Sequence, residues 1–472
     1  MNTKQLRQKI LDLAIRGKLV PQDSNDEPAS VLLERVKAEK ERLIAEGKIK
    51  RSKKSAASSD KPHYPFEIPS NWIWVTIGDL GDIVTGTTPS KSNKDFYNGK
   101  YPFFKPTDLE QGINTVSSTD SLTEQGFSVA RRLSKHSVLV TCIGATIGKT
   151  GLIQRSGSCN QQINAIVPNH EINARLIYYF CISGFLQDAI ISNSSATTLP
   201  ILNKNDFSKL LFPLPPTNEQ NRIVYEIEKW FEVIGIIEFE NDELNAVLAQ
   251  VKSKVLELAI SGKLVQQDPS DEPAEVLLKR VNPNAVVSAD TSHYKFDIPN
   301  NWIISQLGNL FNHNTGKALN RSKQEGTMLD YITTSNLYWD RFDLNNLKQM
   351  PFKESEIDKC TVIKGDLLVC EGGDVGRAAI WNYDYSICIQ NHLHRLRPID
   401  NHLVFPRFYY YCFLLYKQQN LIGGKGIGIQ GLSSNQLHKV VFPLPPLNEQ
   451  KRIASKVDGL FAVIDQIQQS LE

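Results

Sequence analysis

A long internal repeat constrains this chain more than any other feature. Residues 1–36 align without gaps to residues 246–281, with identity at 21 of the 36 positions. LAIRGKLV (13–20) meets LAISGKLV (258–265), DEPA (26–29) recurs at 271–274, and VLLERV (31–36) meets VLLKRV (276–281). Further on, HYPFEIPSNW (63–72) matches HYKFDIPNNW (293–302), and FPLPPTNEQNRI (212–223) matches FPLPPLNEQKRI (442–453). The offset is 245 in the first match and 230 in the others, so the first copy carries a 15-residue insertion rich in Lys, Arg and Ser. Copies of this length are domain-sized, and the repeat settles the architecture.

The stretch between the copies reads as one long helix. Its apolar residues recur at steps of four and three: Ile223, Ile227, Trp230, Ile234, Ile237, then Asn241, then Leu244, Leu248, Val251, Val255 and Leu258. That is a heptad seam with one polar interruption, the place where a buried Asn fixes register. Some forty residues make a rod of roughly 60 Å. Gly262 reads as its C-terminal stop, with Lys254 and Lys263 near the negative end of the helix dipole. The seam returns at Ile453, Val457, Leu460, Ile464, Ile467 and Leu471, and Leu6, Ile10 and Leu13 then continue the register held by 251, 255 and 258. The two chain ends together therefore rebuild a second copy of the rod, and a two-fold relation between two such rods makes them antiparallel.

Two blocks of equal length lie between the rods, each opening on a Pro-x-Asn-Trp turn. Each has a buried-strand candidate, SVLVTCIG (137–144) or GDLLVCEGG (365–373), and a helical stretch, 174–190 or 406–420. Each ends in a strand running into FPLPP, whose prolines break the pattern before the next helix. The expected fold is mixed α/β (α+β), two similar domains separated by two long antiparallel helices with circular pseudo-two-fold symmetry. Its divisions are an N-terminal helical segment (1–36), a basic linker (37–62), a first domain (63–216) and a central helical region (217–281). A second linker (282–292), a second domain (293–446) and a C-terminal helix pairing with the central one (447–472) complete it. The helix at about 31–47 packs on the rod or helps to hold a partner subunit. The basic run 48–61 reads as a solvated tether.

Composition excludes more than it names. A net charge of +2 over 472 residues gives no bulk attraction to nucleic acid, so any such binding needs local basic surface. The seven cysteines form no CxxC pair, which reads as reduced thiols in a cytoplasmic protein and not as a disulfide frame or zinc site. No run of 18 apolar residues marks a membrane span, and no signal peptide opens the chain. GATIGKT (144–150) imitates a phosphate-binding loop, but the pattern needs glycine where Ile143 stands, and no helix signal follows. It reads as a glycine-rich turn after a strand. No HExxH, paired-Cys cluster or methyltransferase-type NPP[FYW] stretch occurs, so no active site is expected.

Taken together, LAIRGKLVPQDSNDEPASVLLERV, IPSNW, the TGTTPS run (85–90) and FPLPPTNEQNRI, mostly repeated and in this order, make the chain resemble the specificity subunit of type I restriction–modification systems along essentially its whole length. The resemblance implies two target recognition domains, each reading half of a split double-stranded DNA sequence. It implies no catalysis of the chain's own. Two adenine-methylating subunits dock on such a subunit, with motor–nuclease subunits in the restriction complex. S-adenosylmethionine and ATP are then expected on those partners, with no cofactor or metal in this chain. The first loop of the second domain, NTGKALN (314–320), departs from VTGTTPSK (84–91), so no contact carries over between them. The other reading is a repeat-built scaffold that holds two partners and reads no DNA.

Base reading needs donors and acceptors on loops that enter a groove. In the first domain the candidates are Thr87, Thr88, Ser90, Lys91, Lys105, Thr107, Lys149, Gln161, Gln162 and Asn164. In the second they are Lys317, Asn320, Arg321, Thr333, Thr334, Ser335, Asn336, Arg377, Asn391, His392 and His394. Amide side chains suit adenine, and cations suit guanine or phosphate. The alternative for Gln161, Gln162, Asn391 and His392 is that they cap strand ends. Because the block interiors differ, the two half-sites are expected to differ.

Overall fold

A computed structural model describes residues 2–47, 64–195, 199–285, 294, 296–319, 325–422 and 432–471. The whole of the basic run 48–61, and Asn320 and Arg321, lie outside them. The chain divides into two units, Met1–Glu240 and Asn241–Glu472. The first holds helices α1 (Thr3–Ile15) and α2 (Ala29–Ala45) and the first part of α3 (Thr217–Ile260), a single helix of 44 residues. At 1.5 Å per residue α3 is about 66 Å long. The second unit holds the rest of α3, then α4 (Ala274–Val281) and α5 (Leu447–Leu471).

Each unit is built on a four-stranded antiparallel sheet. In the first, β1 (Gly81–Thr85), β2 (Val138–Thr141), β3 (Thr150–Leu152) and β4 (Ile163–Pro168) lie in the order β1-β4-β2-β3. In the second, β5 (Phe311–Thr315), β6 (Leu367–Cys370), β7 (Ala378–Ile380) and β8 (Leu393–Pro398) take the order β5-β8-β6-β7. The strands flanking IPSNW and FPLPP pair in both units, Ile73–Thr76 with Leu211–Leu214 and Ile303–Gln306 with Val441–Leu444. Both strand candidates form, because their runs of β-branched and aliphatic residues are buried on both faces.

The repeated motifs recur because they make the same contacts twice. Gly17 and Gly262 end their helices in the left-handed region, at φ 67° and 69°. A Cβ there would come within 2.4 Å of Pro69 or Pro299 Cγ, with Trp72 or Trp302 beside it, so only glycine fits. The Arg of NEQxR pairs with the Asp of DEPA, Arg222 with Asp26 at 2.5 Å and Arg452 with Asp271 at 2.6 Å. Gln22 donates to Glu219 at 2.5 Å, and Gln267 to Glu449. Trp302 Nε1 adds a 2.9 Å bond to Glu449, and Trp72 lies against Glu219 in the first unit. Burial raises the pKa of both glutamates. The Gln of NEQ reaches the globular block from either copy: Asn173 N donates to Gln220 at 2.9 Å and Phe405 N to Gln450 at 3.1 Å. Arg175 binds Glu228 and Arg407 binds Asp458 in matching positions on the block helices.

Pairing along α3 is antiparallel inside each unit. Arg7 of α1 meets Glu238 while Gln22 meets Glu219, and Lys252 meets Asp465 of α5 while Gln267 meets Glu449. The heptad seam is buried only in part. Ile223, Ile227, Ile234, Leu248 and Val255 are buried, but Trp230, Leu244 and Val251 keep 43%, 38% and 42% of their surface. Leu256, Ala259 and Ile260 are buried as well. The neighbours of α3 change along its length from α1 and a globular block to α5 and another block, so its buried face does not follow one straight stripe. Asn241 is half-buried. The helix expected at 174–190 is two, Ala174–Cys181 and Gly184–Ser192. Ser183 divides them, its hydroxyl donating to Phe180 O at 2.6 Å and accepting from Leu186 N at 3.4 Å.

Candidate nucleic-acid interface

Alternating strand direction brings the loops named from sequence to one edge of each sheet. In the first unit the ends of β1 and β2 and the starts of β3 and β4 share that edge, as the register pairs Thr85↔Asn164, Thr141↔Ile163 and Val140↔Thr150 require. Loops 86–93, 142–149 and 160–162 follow from it, and Gly144 N bonds to Pro200 O at 3.0 Å to add a fourth segment. GATIGKT is a turn between β2 and β3 with Gly144 and Gly148 at positive φ, not the start of a helix.

The first-domain candidates divide by environment. Thr88 and Gln161 are exposed and hydrogen-bonded to each other, and Thr87 Oγ1 accepts from Arg131 N at 3.1 Å, so two loops are tied together. Ser90 shares a 2.7 Å bond with Ser92. Lys91 and Thr107 are exposed, and neither side chain has a polar partner among the described residues. Lys105 pairs with Asp120, and Lys149 with Glu110 at 2.8 Å, which holds the Glu110 carboxyl below its ordinary range. Gln162 accepts from Asn160 Nδ2 at 2.8 Å at the start of β4. Asn164 is buried, accepting from Thr85 Oγ1 at 2.7 Å and donating to Leu202 O at 3.3 Å. It positions the edge and does not face solvent.

The second domain repeats the edge with other chemistry. His394 takes the place of Asn164 in register and is fully buried, with Nε2 against Leu432 O and Nδ1 2.8 Å from His313 Nε2. Burial, with His394 and His438 nearby, pushes His313 down to about 3, and burial lowers His394 too. Lys317 is spent inside the fold, donating to Pro351 O at 2.7 Å and Glu356 at 2.6 Å over the Phe352 ring. Thr333, Ser335 and Asn336 bond among themselves. Thr334 O accepts from Arg377 Nη2 at 2.7 Å. Asn391 N donates to Lys317 O at 2.9 Å, while His392 is exposed at φ 76°, 3.7 Å from Glu371. These candidates therefore come together at one edge, but Asn164, His394 and Lys317 serve the fold.

Sequence reasoning missed the acids that hold the lysines, because Glu110, Asp120 and Glu356 lie far from them along the chain. It also missed Tyr338 and Arg341, on a short hairpin beside Arg377. Consecutive aromatic and basic residues around Trp339-Asp340 were the available signal.

The family model for the type I restriction modification DNA specificity domain matches residues 69–246 and again 299–472. The chain belongs to that family. Each match takes in a block and the helix that follows it, and their starts are 230 residues apart, the offset that the repeat gives between the blocks. A specificity subunit of the type I restriction enzyme EcoAI from Escherichia coli is 24% identical across 98% of this chain and 90% of its own length. The HindI specificity subunit from Haemophilus influenzae is 31% identical over 42% of each chain. A solved chain from work on complex assembly and conformational transition of the type I R-M system superposes with a TM-score of 0.60, at 18% identity over 86% of this chain and 94% of that one. Among the described residues no group of three His, Cys, Asp or Glu is placed to hold a metal, and no single helix is long and apolar enough to cross a membrane.

Proposed function

We propose that this family member is the DNA sequence-recognition subunit of a cytoplasmic type I restriction–modification complex. Each strand-end edge reads one half of a bipartite, asymmetric target. The observation that carries this reading is the pairing of identical framework contacts with two different edges: the same glycine, tryptophan and NEQxR anchors hold surfaces whose polar residues do not correspond. The chain supplies recognition and placement, and adenine methylation and restriction belong to the two methylating subunits and the motor–nuclease subunits. S-adenosylmethionine and ATP bind those partners. The long helix sets the distance between half-sites. Half-sites one helical turn apart lie about 34–36 Å from each other, within reach of a helix of this length.

Exchanging residues 64–212 for the block of another specificity subunit, then mapping methylated adenines, tests the reading. One half-site is expected to change while the other stays; a change in both defeats it. Four residues inserted near Asn241 are expected to lengthen the spacer and leave both half-sites intact. Selection from random duplexes with the methylating partner present separates recognition from scaffolding, because a scaffold enriches no split motif.

A further inference from the structure

The second domain carries a feature with no counterpart among the described residues of the first: an exposed aromatic ring with two guanidiniums over it. Tyr338 and Arg341 face each other across a two-residue turn, with Leu337 paired to Phe342 behind them. The Arg341 guanidinium lies 4.5 Å from the Tyr338 ring centre and that of Arg377 lies 5.5 Å from it. The hairpin is anchored on every other side. Leu337 is buried with Phe342 against Trp381, Trp339 packs on Tyr410, and Asp340 N bonds to Ala378 O at the start of β7. This places the ring at the strand-end edge.

The acids near it have other partners. Asp340, next to Arg341, is taken by Arg407. Asp343 accepts from Asn345 N at 3.1 Å. Asp374 is shared between Lys417 at 2.8 Å and Arg377 at 3.9 Å. Arg377 is itself fixed by Thr334 O, so it positions the ring. Arg341 alone has no carboxylate or carbonyl partner among the described residues and is exposed. Two cations on one ring repel each other, and a ligand presenting acceptors relieves that repulsion. Stacking holds the planar fork in one orientation, which lowers the ordering cost of a two-pronged contact. The acceptors on double-stranded DNA that match such a fork are O6 and N7 of guanine in the major groove.

We propose that Arg341, seated on Tyr338, reads a guanine in the half-site taken by the second domain. This inference rests on the DNA-recognition reading above and names the contact within it. The test uses the full complex with its methylating subunits. Binding and methylation are measured on the wild-type target and on duplexes changed one base pair at a time, for Arg341→Ala, Arg341→Lys and Tyr338→Leu. The expected result is a loss of discrimination at one G·C pair of the second-domain half-site, roughly 5- to 150-fold in the alanine variant. The first-domain half-site is expected to stay unchanged. Arg341→Lys is expected to lose most of that discrimination, because an ammonium cannot reproduce the fork. Uniform weakening on every duplex, with the salt slope lower by about one, marks a phosphate contact and overturns the proposal. Wild-type discrimination retained by Arg341→Lys overturns it as well. If the wild-type complex shows no split target at all, the recognition reading fails instead.

Discussion

The two sheets share their strand order and register but fill one face in opposite ways. In the first domain Ala165 and Val167 of β4 lie across from Val84 and Asp82, and that face opens into an apolar cavity of about 540 Å³ lined by Val36, Leu43, Val84, Phe127, Leu133 and Val167 among others. In the second domain the matching strand places Arg395 and Arg397 across from Asn314 and Asn312. Arg397 binds the buried Asp366 through two bonds of 2.8 and 2.7 Å, and Arg395 donates to Asp358 O and Thr361 O at 3.0 and 2.5 Å. Ser137 stands where Asp366 does: Ile153 N bonds to Ser137 O as Trp381 N bonds to Asp366 O. The framework demands only a sheet of given order, and the packing on that sheet is free to be apolar or ionic. Divergence of that kind lets one scaffold carry two surfaces.

The strongest way to break this comparison is to cut the shared framework on both sides. Trp72→Ala and Trp302→Ala each remove a large buried ring, and each is expected to cost its own unit about 3–5 kcal/mol. Hydrogen exchange resolved by unit checks that the two losses match; a loss confined to the second unit shows that the framework is not equivalent. Asp366→Ala leaves Arg397 without its acid and is expected to destabilise the second unit alone, by about 3 kcal/mol.

Acid sharpens the contrast further. The folded state holds His313 at about 3 and lowers His394, so it takes up protons only well below the ordinary histidine range. Stability from the neutral His313 ring is complete above about pH 6.5 and is lost as pH falls toward 3, because the unfolded chain binds protons first, and the lowered His394 acts in the same direction. The second unit is expected to lose about 2 kcal/mol at pH 5 from His313 alone. The first has Asn164 at the His394 position, and among its described residues the one lowered histidine is His136, which burial lowers, so its loss is expected to be smaller. Separate acid unfolding curves check the order, and His394→Asn is expected to narrow the gap. The smallest stability effect belongs to Lys91→Ala, within about 0.5 kcal/mol. On the proposed interface it weakens binding to all duplexes alike and lowers the salt slope by about one, which titrations at several salt concentrations measure.

Much of this architecture was legible in the residues. Gly262 ends α3 as read, both strand candidates form, and the repeated anchors meet their partners in both units. The candidate edge was legible as loops and less so as side chains. Lys317, Asn164 and His394 carry the right groups for DNA but spend them on Glu356, Leu202 O and Leu432 O. Nothing local distinguishes a lysine paired 39 residues away from one that faces solvent, as Lys91 does.

The sequence by itself determined the repeat, the two domains and the long helix, because periodicity and turn chemistry act over a few residues and recur wherever the same residues recur. Only the tertiary structure decided which polar groups stay available. Hydrogen-bond partners are chosen across the sheet and between loops, where a buried donor without an acceptor is too costly to persist. The stack of Arg341 on Tyr338 and the ion pair of Arg397 with Asp366 were fixed at that level, one left facing outward and the other used to fill a core.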